Sequence, residues 1–551
     1  MNKPPCFDNI DFNTMDPMEI SADSERTLKQ IKECVQFKDS KGLKTFILEH
    51  KLAHTNIFWE VTSELVNSMT HENLNNHTYF FESCERCLNY IVENGNPKEI
   101  LLALLEQADC FKDDEKFKVI LSNVQTVLLK LPAKRHHSLD ITMETLSAHI
   151  EALPALSDHD LEGEEWKLLD LDPEVSRTHD VVKAYLLFLK PFIWEVSTKN
   201  SETDRTNRES QIKMLTGYLL RLLHHPLLYL HMRFNPKEEA EKKKMYGREL
   251  GEMLIDHLTQ LCPSFWKLID TEKKKHYLRK KGKQSQAERK RAVDHDDIVK
   301  DWKKHDDVSE LSLACLLYLV LKEYLGIDNF PAIFTNQYLL QYCLPYIKLL
   351  LEVDHSFVKF KGLYLLQTLV YNILPGSLQA EDLEQDIYKE VLQLLIHIDD
   401  FLKMKNQELR QLCVTIFPVY VNMFSLAGRY RLFEIVFRTC HHAGMIGYTI
   451  GLYKGEVDKA LRQDRPDRHY VGRHLQNILK LVTGIPNGAT TDLLDNSDRI
   501  FAVLNFLRYL TLRDAPNVNI TGIWDYYPVI EKDFFGPSET CNRVVQRSLQ
   551  A

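Results

Sequence analysis

The chain has 551 residues, which is longer than one compact core supports, so we expect several domains or one extended stack of repeats. Hydrophobic residues make up 44% of the chain and charged residues 27%, which excludes wholesale disorder. The formal net charge of -9 is modest for this length and argues against a general nucleic-acid-binding protein.

The N-terminal segment does not have the pattern of a secretion signal. Met1–Ile20 carries four acidic residues and no apolar run, whereas a signal peptide needs a positive start followed by an apolar stretch. We therefore expect a protein of the cytoplasm, and also of the nucleus. Residues 1–22 are expected to form a disordered N-terminal segment. The longest nearly apolar run, Leu311–Leu321, is about half of the ~20 residues that a bilayer requires, so it predicts a buried helix rather than a membrane span.

Helical periodicity fills residues 23–235, which we predict to be an N-terminal region of HEAT-like helices. Asn96–Pro97 is expected to begin a helix, because proline in the first turn loses no hydrogen bond there. Pro191 lies inside the apolar run Tyr185–Val196 and predicts a kink or break of the kind that HEAT-like helices often carry.

The segment 236–310 is dense in charges of both signs and poor in apolar residues. Such a composition cannot bury a face, so we expect a partly disordered loop that contains one short helix, Met253–Ile269. The basic stretch Lys273–Arg291 is typical of a solvated loop, and also of a nuclear-import signal or a patch for phosphate groups.

Residues 311–551 are predicted to form a C-terminal HEAT-like region. Asn406–Leu426 has one apolar helical stripe, Ala427–Gly428 is expected to end that helix, and further helices follow to about Leu461. Short helices joined by a few residues form antiparallel hairpins, and stacked hairpins form a solenoid. The sequence thus predicts an all-α fold, an α-solenoid of HEAT-like antiparallel helix hairpins, with a compact multi-domain helical protein as the alternative.

The cysteines and histidines do not form the ligand sets of a metal site. The eleven cysteines are scattered, as expected for reduced thiols. Cys84 and Cys87 form a single CxxC, and no second pair follows at zinc-finger spacing, so we expect two half-buried thiols on a helix. His50 and His54 share a helical face, but the residue after His50 is not the glutamate that a zinc protease uses as its base. The possible ligands in Cys440–His442 are too close together to form a closed metal site. No metal and no cofactor are predicted.

Enzyme signatures are missing as well. The chain has no Gly-rich phosphate loop and no dinucleotide-binding fingerprint. Gly447–Gly451 superficially resembles a nucleophile elbow, but that motif requires a strand-to-helix turn and this region is helical in pattern. We therefore predict a protein without an active site.

Several blocks of the sequence resemble one known family. The early blocks are Asn96–Glu99 with Leu101–Leu102 and Leu104–Glu106, Lys190–Phe192 with Glu195–Val196, Tyr338–Gln341, and Lys361–Leu363. The most specific block is Thr491–Ile500, which continues through Leu504–Asn505 and Leu507–Leu510 to Thr521–Trp524. In order from about Pro97 to Asn542, these blocks are similar to the glomulin family.

The resemblance implies a HEAT-like protein that binds the RING domain of the RING-box subunit of cullin-RING (SCF-type) ubiquitin ligases. Members of that family cover the surface that would receive the ubiquitin-conjugating enzyme and so inhibit ligation and cullin neddylation. They are also linked to FKBP-type immunophilins and to a receptor tyrosine kinase. The alternative expectation is therefore a scaffold that binds an immunophilin or a receptor tail without acting on ubiquitin transfer.

The sequence departs from the family pattern at both ends. The segment before about Asp23 has no counterpart, and the family continues beyond the region of Asn542 with an acidic spacer and a further long helix, whereas Arg543–Ala551 is unrelated. If that C-terminal part of the family contributes to RING binding, we expect this version to bind more weakly or to be an alternative transcript.

The resemblance places binding in the C-terminal repeats. In Ser497–Leu512 we predict a core stripe of Ile500, Val503, Leu504, Leu507 and Leu510. The candidate partner-binding residues are Lys454, Asp458, Asp498, Arg499, Arg508 and Trp524. For each of them the alternative is plain solvation, or for Trp524 a place in the core.

Overall fold

A computed structural model gives the fold. It describes residues 22–49, 57–108, 113–131, 135–159, 161, 163–198, 205–233, 244–289, 308–396, 406–484, 492 and 494–536. The expected disordered segment 1–22 lies outside these ranges except for Ala22, and so do His50, His54 and the C-terminal residues 537–551.

The chain divides into two compact units, and we describe each by itself. The first comprises Met1–Leu156 and Asp170–Val308, and the second comprises Ser157–Leu169 and Ser309–Ala551. The division after Val308 lies close to the boundary predicted at residue 310, but the charged segment before it belongs to the first unit.

The helices of the first unit are α1 Ala22–Gln36, α2 Ser40–Glu49, α3 Phe58–Asn67, α4 His71–Asn76, α5 Thr78–Asn94, α6 Pro97–Ala108, α7 Asp114–Leu129, α8 Arg135–Glu151, α9 Pro173–Thr198, α10 Arg205–His224, α11 Tyr246–Leu261 and α12 Phe265–Arg289. Helices near in sequence pack together, as α3 does on α5 and α6, α7 on α9, and α8 on α10. This is the arrangement of stacked hairpins.

Pro191, where the sequence predicts a kink or break, lies inside α9, and the helix is not broken there. Proline lacks the N–H that would bond to the carbonyl oxygen of Leu187, four residues earlier. The side-chain nitrogen of Gln125, on α7, donates to the oxygens of Leu187 at 3.2 Å and Phe188 at 2.8 Å. A neighbouring helix thus supplies the hydrogen bond that the proline removes, and the helix continues through it.

The segment predicted as a charged loop is helical where the structure describes it. α12 runs to Arg289 and therefore includes Lys273, the expected start of the basic loop. Its first turns are anchored by Phe265 and Ile269, which are both fully buried. Charges also support the helix, since Lys274 pairs with Asp270 at 2.6 Å across one turn. The loop prediction was wrong for these residues because anchored lysine-rich sequence has good helix propensity.

The helices of the second unit are α13 Glu310–Leu321, α14 Asn336–Glu352, α15 Ser356–Tyr371, α16 Asp386–Ile396, α17 Gln407–Asn422, α18 Leu426–Thr439, α19 Ala443–Leu461, α20 Gly472–Thr483, α21 Ser497–Arg513 and α22 Ile523–Ile530. Here too neighbours pack in succession, α14 on α15, α15 on α17, α18 on α20, and α19 on α21. The predicted all-α architecture of stacked helix hairpins is confirmed within each unit.

One stretch from the first half of the sequence packs within the second unit. The carboxylate of Asp158 accepts hydrogen bonds from the backbone N–H of Ser356 at 2.8 Å and from its hydroxyl at 3.1 Å. These bonds cap the start of α15, whose own N-cap residue makes no side-chain cap. The ring of Trp166 lies 5.4 Å from that of Phe357 and 5.2 Å from that of Phe360.

The break between α17 and α18 is earlier than predicted. The expected stop, Gly428, lies inside α18, and a Cβ atom there would come within 2.9 Å of the Cβ of Phe424. The chain turns instead at Met423–Ser425, where the N–H of Ser425 donates to the oxygen of Leu378 at 2.7 Å. The glycine serves close packing, and contacts from another loop determine where the helix ends.

Among the described residues, β-type backbone pairing is limited to one isolated β-bridge between Leu378 and Phe424. Within the same residues there is no helix with the length and apolarity to cross a bilayer. The run Leu311–Leu321 forms α13, and its residues are buried, as predicted, apart from Leu311 at the edge.

Candidate partner-binding surface

Glycines bring α19 close to α21. A Cβ atom at Gly447 would lie 2.9 Å from the backbone oxygen of Asp498, so a larger residue there would push the helices apart. The motif Gly447–Gly451 lies inside α19. Its Thr449 is buried, and the hydroxyl of that residue donates to the backbone oxygen of Met445 at 2.7 Å. The elbow-like pattern reflects helix packing and presents no exposed nucleophile.

Lys454 and Asp458 join α19 to α21 through Tyr509. The hydroxyl of Tyr509 donates to Oδ1 of Asp458 at 2.7 Å, and Nζ of Lys454 lies 5.1 Å from the centre of the tyrosine ring. Arg462 pairs with the same carboxylate at 2.7 Å. The hydrogen bond from Tyr509, followed by that from Arg462, lowers the pKa of Asp458. Burial, together with the carboxylate, raises the pKa of Tyr509 to about 12.

Arg499 holds the end of another helix. Its Nη2 donates to the backbone oxygens of Leu481 at 3.2 Å and Val482 at 3.3 Å, and also to that of Gly484. These are carbonyls at the C-terminus of α20, which have no partner inside the helix and favour a positive charge. Burial lowers the pKa of Arg499. The structure therefore places this candidate in a helix cap, whereas the neighbouring Asp498 is exposed.

Trp524 holds the turn that connects α21 to α22. Its ring N–H donates to the backbone oxygen of Asp514 at 2.8 Å, and its backbone N–H donates to Oδ1 of Asn519 at 3.2 Å. The buried carboxylate of Asp514 accepts bonds from both the N–H and the hydroxyl of Thr521, each at 2.6 Å. Trp524 is half-buried in this network and is not part of the buried core, which was the alternative considered for it.

Arg508 differs from the other candidates. It is exposed, and its side chain has no hydrogen bond or ion pair with any residue that the structure describes. Around it on the same face of α21 lie Phe501, Leu504 and Leu512, which are 64%, 37% and 78% exposed. We call Phe501, Leu504, Arg508 and Leu512 the α21 row. Their spacing of three and four residues places them along one side of the helix.

The core stripe of α21 is rotated relative to the prediction. The buried residues are Val503, Phe506, Leu507 and Leu510. Ile500 is only half-buried and Leu504 is exposed, so these two predicted core positions were wrong. The helix has more apolar residues than one face can bury. That surplus, visible in the sequence as apolar residues on two faces, is the signal that could have revealed the α21 row.

Cys84, Cys87 and His442 have structural roles. Cys84 and Cys87 are buried inside α5, more deeply than the half-buried state expected, and burial raises their pKa values to about 12 and about 11. The Nδ1 of His442 accepts from the N–H of Met445 at 3.1 Å and so caps α19. No cluster of described side chains has the composition of a metal site.

Comparisons with known proteins cover most of the chain. The model of a family described as an uncharacterised protein family, YAP/Alf4/glomulin, matches residues 40–551. Human (Homo sapiens) glomulin is 28% identical over 496 residues, which cover 89% of this chain and 77% of the human protein. Mouse (Mus musculus) glomulin is 28% identical over 460 residues, covering 83% of this chain and 71% of its own length.

Among solved structures, a circular tandem repeat protein with novel repeat topology and enhanced subunit contact surfaces aligns over 96% of this chain and 97% of its own, with 12% identity. The TM-score is 0.19, which is too low to support a structural conclusion.

Proposed function

This chain belongs to the YAP/Alf4/glomulin family, and we propose that, as a glomulin-family regulatory protein, it inhibits cullin-RING ubiquitin ligases by binding the RING domain of their RING-box subunit. The bound RING domain would then be closed to the ubiquitin-conjugating enzyme. In this mechanism the chain contributes a surface and performs no chemistry.

The α21 row is the observation that carries the proposal. Exposed large apolar side chains around an arginine are the composition of an interface anchor. Phe501 and Leu512 are eleven residues apart, which corresponds to ~16 Å along a helix. That is about half the width of a standard patch of ~800 Å² on one partner. The row also lies on α21, the helix that carries part of the most family-like block of the sequence.

The size of a typical protein–protein interface explains how binding of this chain would block the conjugating enzyme. A specific interface buries roughly 1,200–2,000 Å² in total, of which about half lies on the RING domain, a large part of the surface of so small a domain. Two proteins that need the same face exclude each other, so inhibition should be competitive with the conjugating enzyme. Its strength should depend on the concentration of that enzyme and not on the substrate of the ligase.

The test is ubiquitin transfer by a purified cullin–RING complex with and without the chain. We expect transfer to stop at saturating chain and to recover when Phe501 and Leu512 are both replaced by aspartate. The matched control is aspartate at Leu374 and Tyr371, which are 77% and 54% exposed in the same unit but outside the α21 row. The control variant should inhibit like the wild type.

The scaffold alternative gives a different result in the same assay. A chain that only docks an FKBP-type immunophilin or a receptor tail would leave ubiquitin transfer at its uninhibited rate at every concentration. Binding of the RING-box subunit without any effect on transfer would likewise refute occlusion.

A further inference from the structure

The exposed face of α12 combines basic and apolar side chains. Tyr277 and Leu278 are 66% and 63% exposed. Lys273 and Lys274 lie one turn before them and Lys281 one turn after, and all three lysines are exposed. These positions repeat at intervals of four residues, which places them on the same side of the helix. We call these five residues the α12 face.

The charge of this region is opposite to that of the chain. Between Lys273 and Lys283 the sequence has seven lysines and arginines and no acidic residue, whereas the whole chain has a net charge of -9. Asp270 and Glu272, the nearest preceding acids, pair with Lys274 and Lys275 at 2.6 and 2.5 Å. Even with those pairs, the α12 face attracts anionic partners.

The apolar pair limits which anionic partner fits. A helix that lies on a membrane needs an apolar row along its length, but here the apolar residues occupy one turn and lysines follow and precede them. A nucleic-acid backbone would engage the lysines and leave Leu278 without an apolar partner. An acidic peptide with apolar side chains at its centre satisfies both features.

The dimensions also suit an extended peptide. Lys273 and Lys281 are eight residues apart, or ~12 Å along the helix axis. Acidic residues about four positions apart in an extended chain span ~13 Å and have three positions between them for apolar residues.

We infer that the α12 face binds an acidic segment of a partner protein, in which apolar residues between the acids contact Tyr277 and Leu278. This site lies in the first unit and is separate from the proposed RING-binding row, so either can fail without the other.

The probe is a short fluorescent synthetic peptide with a central leucine–phenylalanine pair flanked on both sides by glutamates. Its affinity for the full-length chain is measured by fluorescence anisotropy. We expect saturable binding that weakens with salt. Replacing Lys274 and Lys281 by glutamate, or Tyr277 and Leu278 by alanine, should each weaken it at least ~10-fold. Glutamine at the two lysines is the milder variant if charge reversal disturbs the fold, which circular dichroism will reveal.

Two controls isolate the site. The first is Lys98→Glu with Lys190→Glu, an equal change of net charge at exposed lysines of the same unit, and it should bind like the wild type. The second is the probe with its apolar pair replaced by serines, which should bind at least ~10-fold more weakly.

Several results would overturn the inference. They are absence of probe binding, equal binding of the serine probe, or unchanged affinity in both pairs of α12 variants. Tighter binding to phosphatidylserine vesicles or to duplex DNA through the same residues would also overturn it and would assign the face to a membrane or to nucleic acid.

Discussion

Arg499 and Arg508 lie on the same helix and carry the same charge, but the structure gives them different roles. Arg499 bonds to the end of α20, and Arg508 faces outward within the α21 row. Replacing each in turn by methionine removes the charge and its hydrogen bonds while keeping an unbranched apolar side chain. We expect Arg499→Met to lower stability and Arg508→Met to lower affinity for the RING domain.

The magnitudes follow from the contacts. Arg499 donates to the oxygens of Leu481, Val482 and Gly484 through one nitrogen, so we count the group as about one charged hydrogen bond rather than three. Such a bond contributes about 1.5–3 kcal/mol, and we expect a loss of ~2 kcal/mol in the free energy of unfolding. Arg508 has no described side-chain partner, so its replacement should change stability by less than ~0.5 kcal/mol.

Two measurements separate these effects. Urea denaturation followed by circular dichroism gives the stability of each variant, and calorimetric titration with the purified RING-box subunit gives its affinity. Arg508→Met should weaken binding ~10-fold, which corresponds to about 1.4 kcal/mol. Arg499→Met should bind normally under conditions in which it is folded. The assignment is refuted if Arg499→Met is as stable as the wild type, or if only that variant loses affinity.

Three further predictions rest on other contacts. Asp158→Ala should lower the free energy of unfolding by ~1 kcal/mol in urea denaturation, because it removes the cap of α15, and Asp158→Asn should retain most of it. Tyr509→Phe should destabilise the chain near neutral pH, and less so in acid, because the lowered pKa of Asp458 adds stability that is lost as pH falls through that pKa; a pH-independent difference would contradict this. Replacing both Cys84 and Cys87 by serine should lower the free energy of unfolding by at most a few kcal/mol through lost packing, and it should leave inhibition intact. If mass spectrometry finds zinc in the wild type and none in this variant, the two thiols bind a metal and the prediction is wrong.

Local periodicity was enough to predict several of the helices but not the contacts between distant segments. The helix beginning at Pro97 and the buried helix at Leu311–Leu321 follow from apolar spacing and from proline at a first turn. The cap of Ser356 by Asp158 joins residues 198 positions apart, and no local pattern records it. The break before α18 is likewise determined by a bond to Leu378 from another loop.

The charged region shows why composition alone misleads. Lysine-rich sequence has little to bury, which favours a loop, but it also has good helix propensity once its first turns are anchored. Phe265 and Ile269 provide that anchor in α12. Knowing which of the two tendencies prevails requires the packing partners, which the sequence does not indicate.

The sequence predicted the exposure of only some of the candidate residues. Arg508 is exposed as expected, and Lys454 and Asp458 lie at the edge of the helix pair. Arg499 and Trp524 were candidate partner-binding residues, but both bond to backbone oxygens within the fold. An arginine near a helix end can cap a neighbouring helix or bind a partner protein, and only the position of the neighbouring helix distinguishes these two roles.

Competition for the RING domain tests the central claim most directly. A fluorescent ubiquitin-conjugating enzyme is bound to a purified cullin–RING complex, and the chain is titrated while the anisotropy is followed. Occlusion predicts complete displacement by the wild type, an apparent affinity that falls as the enzyme concentration rises, and no displacement by the variant with aspartate at Phe501 and Leu512. A ternary complex, in which the chain and the conjugating enzyme remain bound to the RING domain together, would contradict the account.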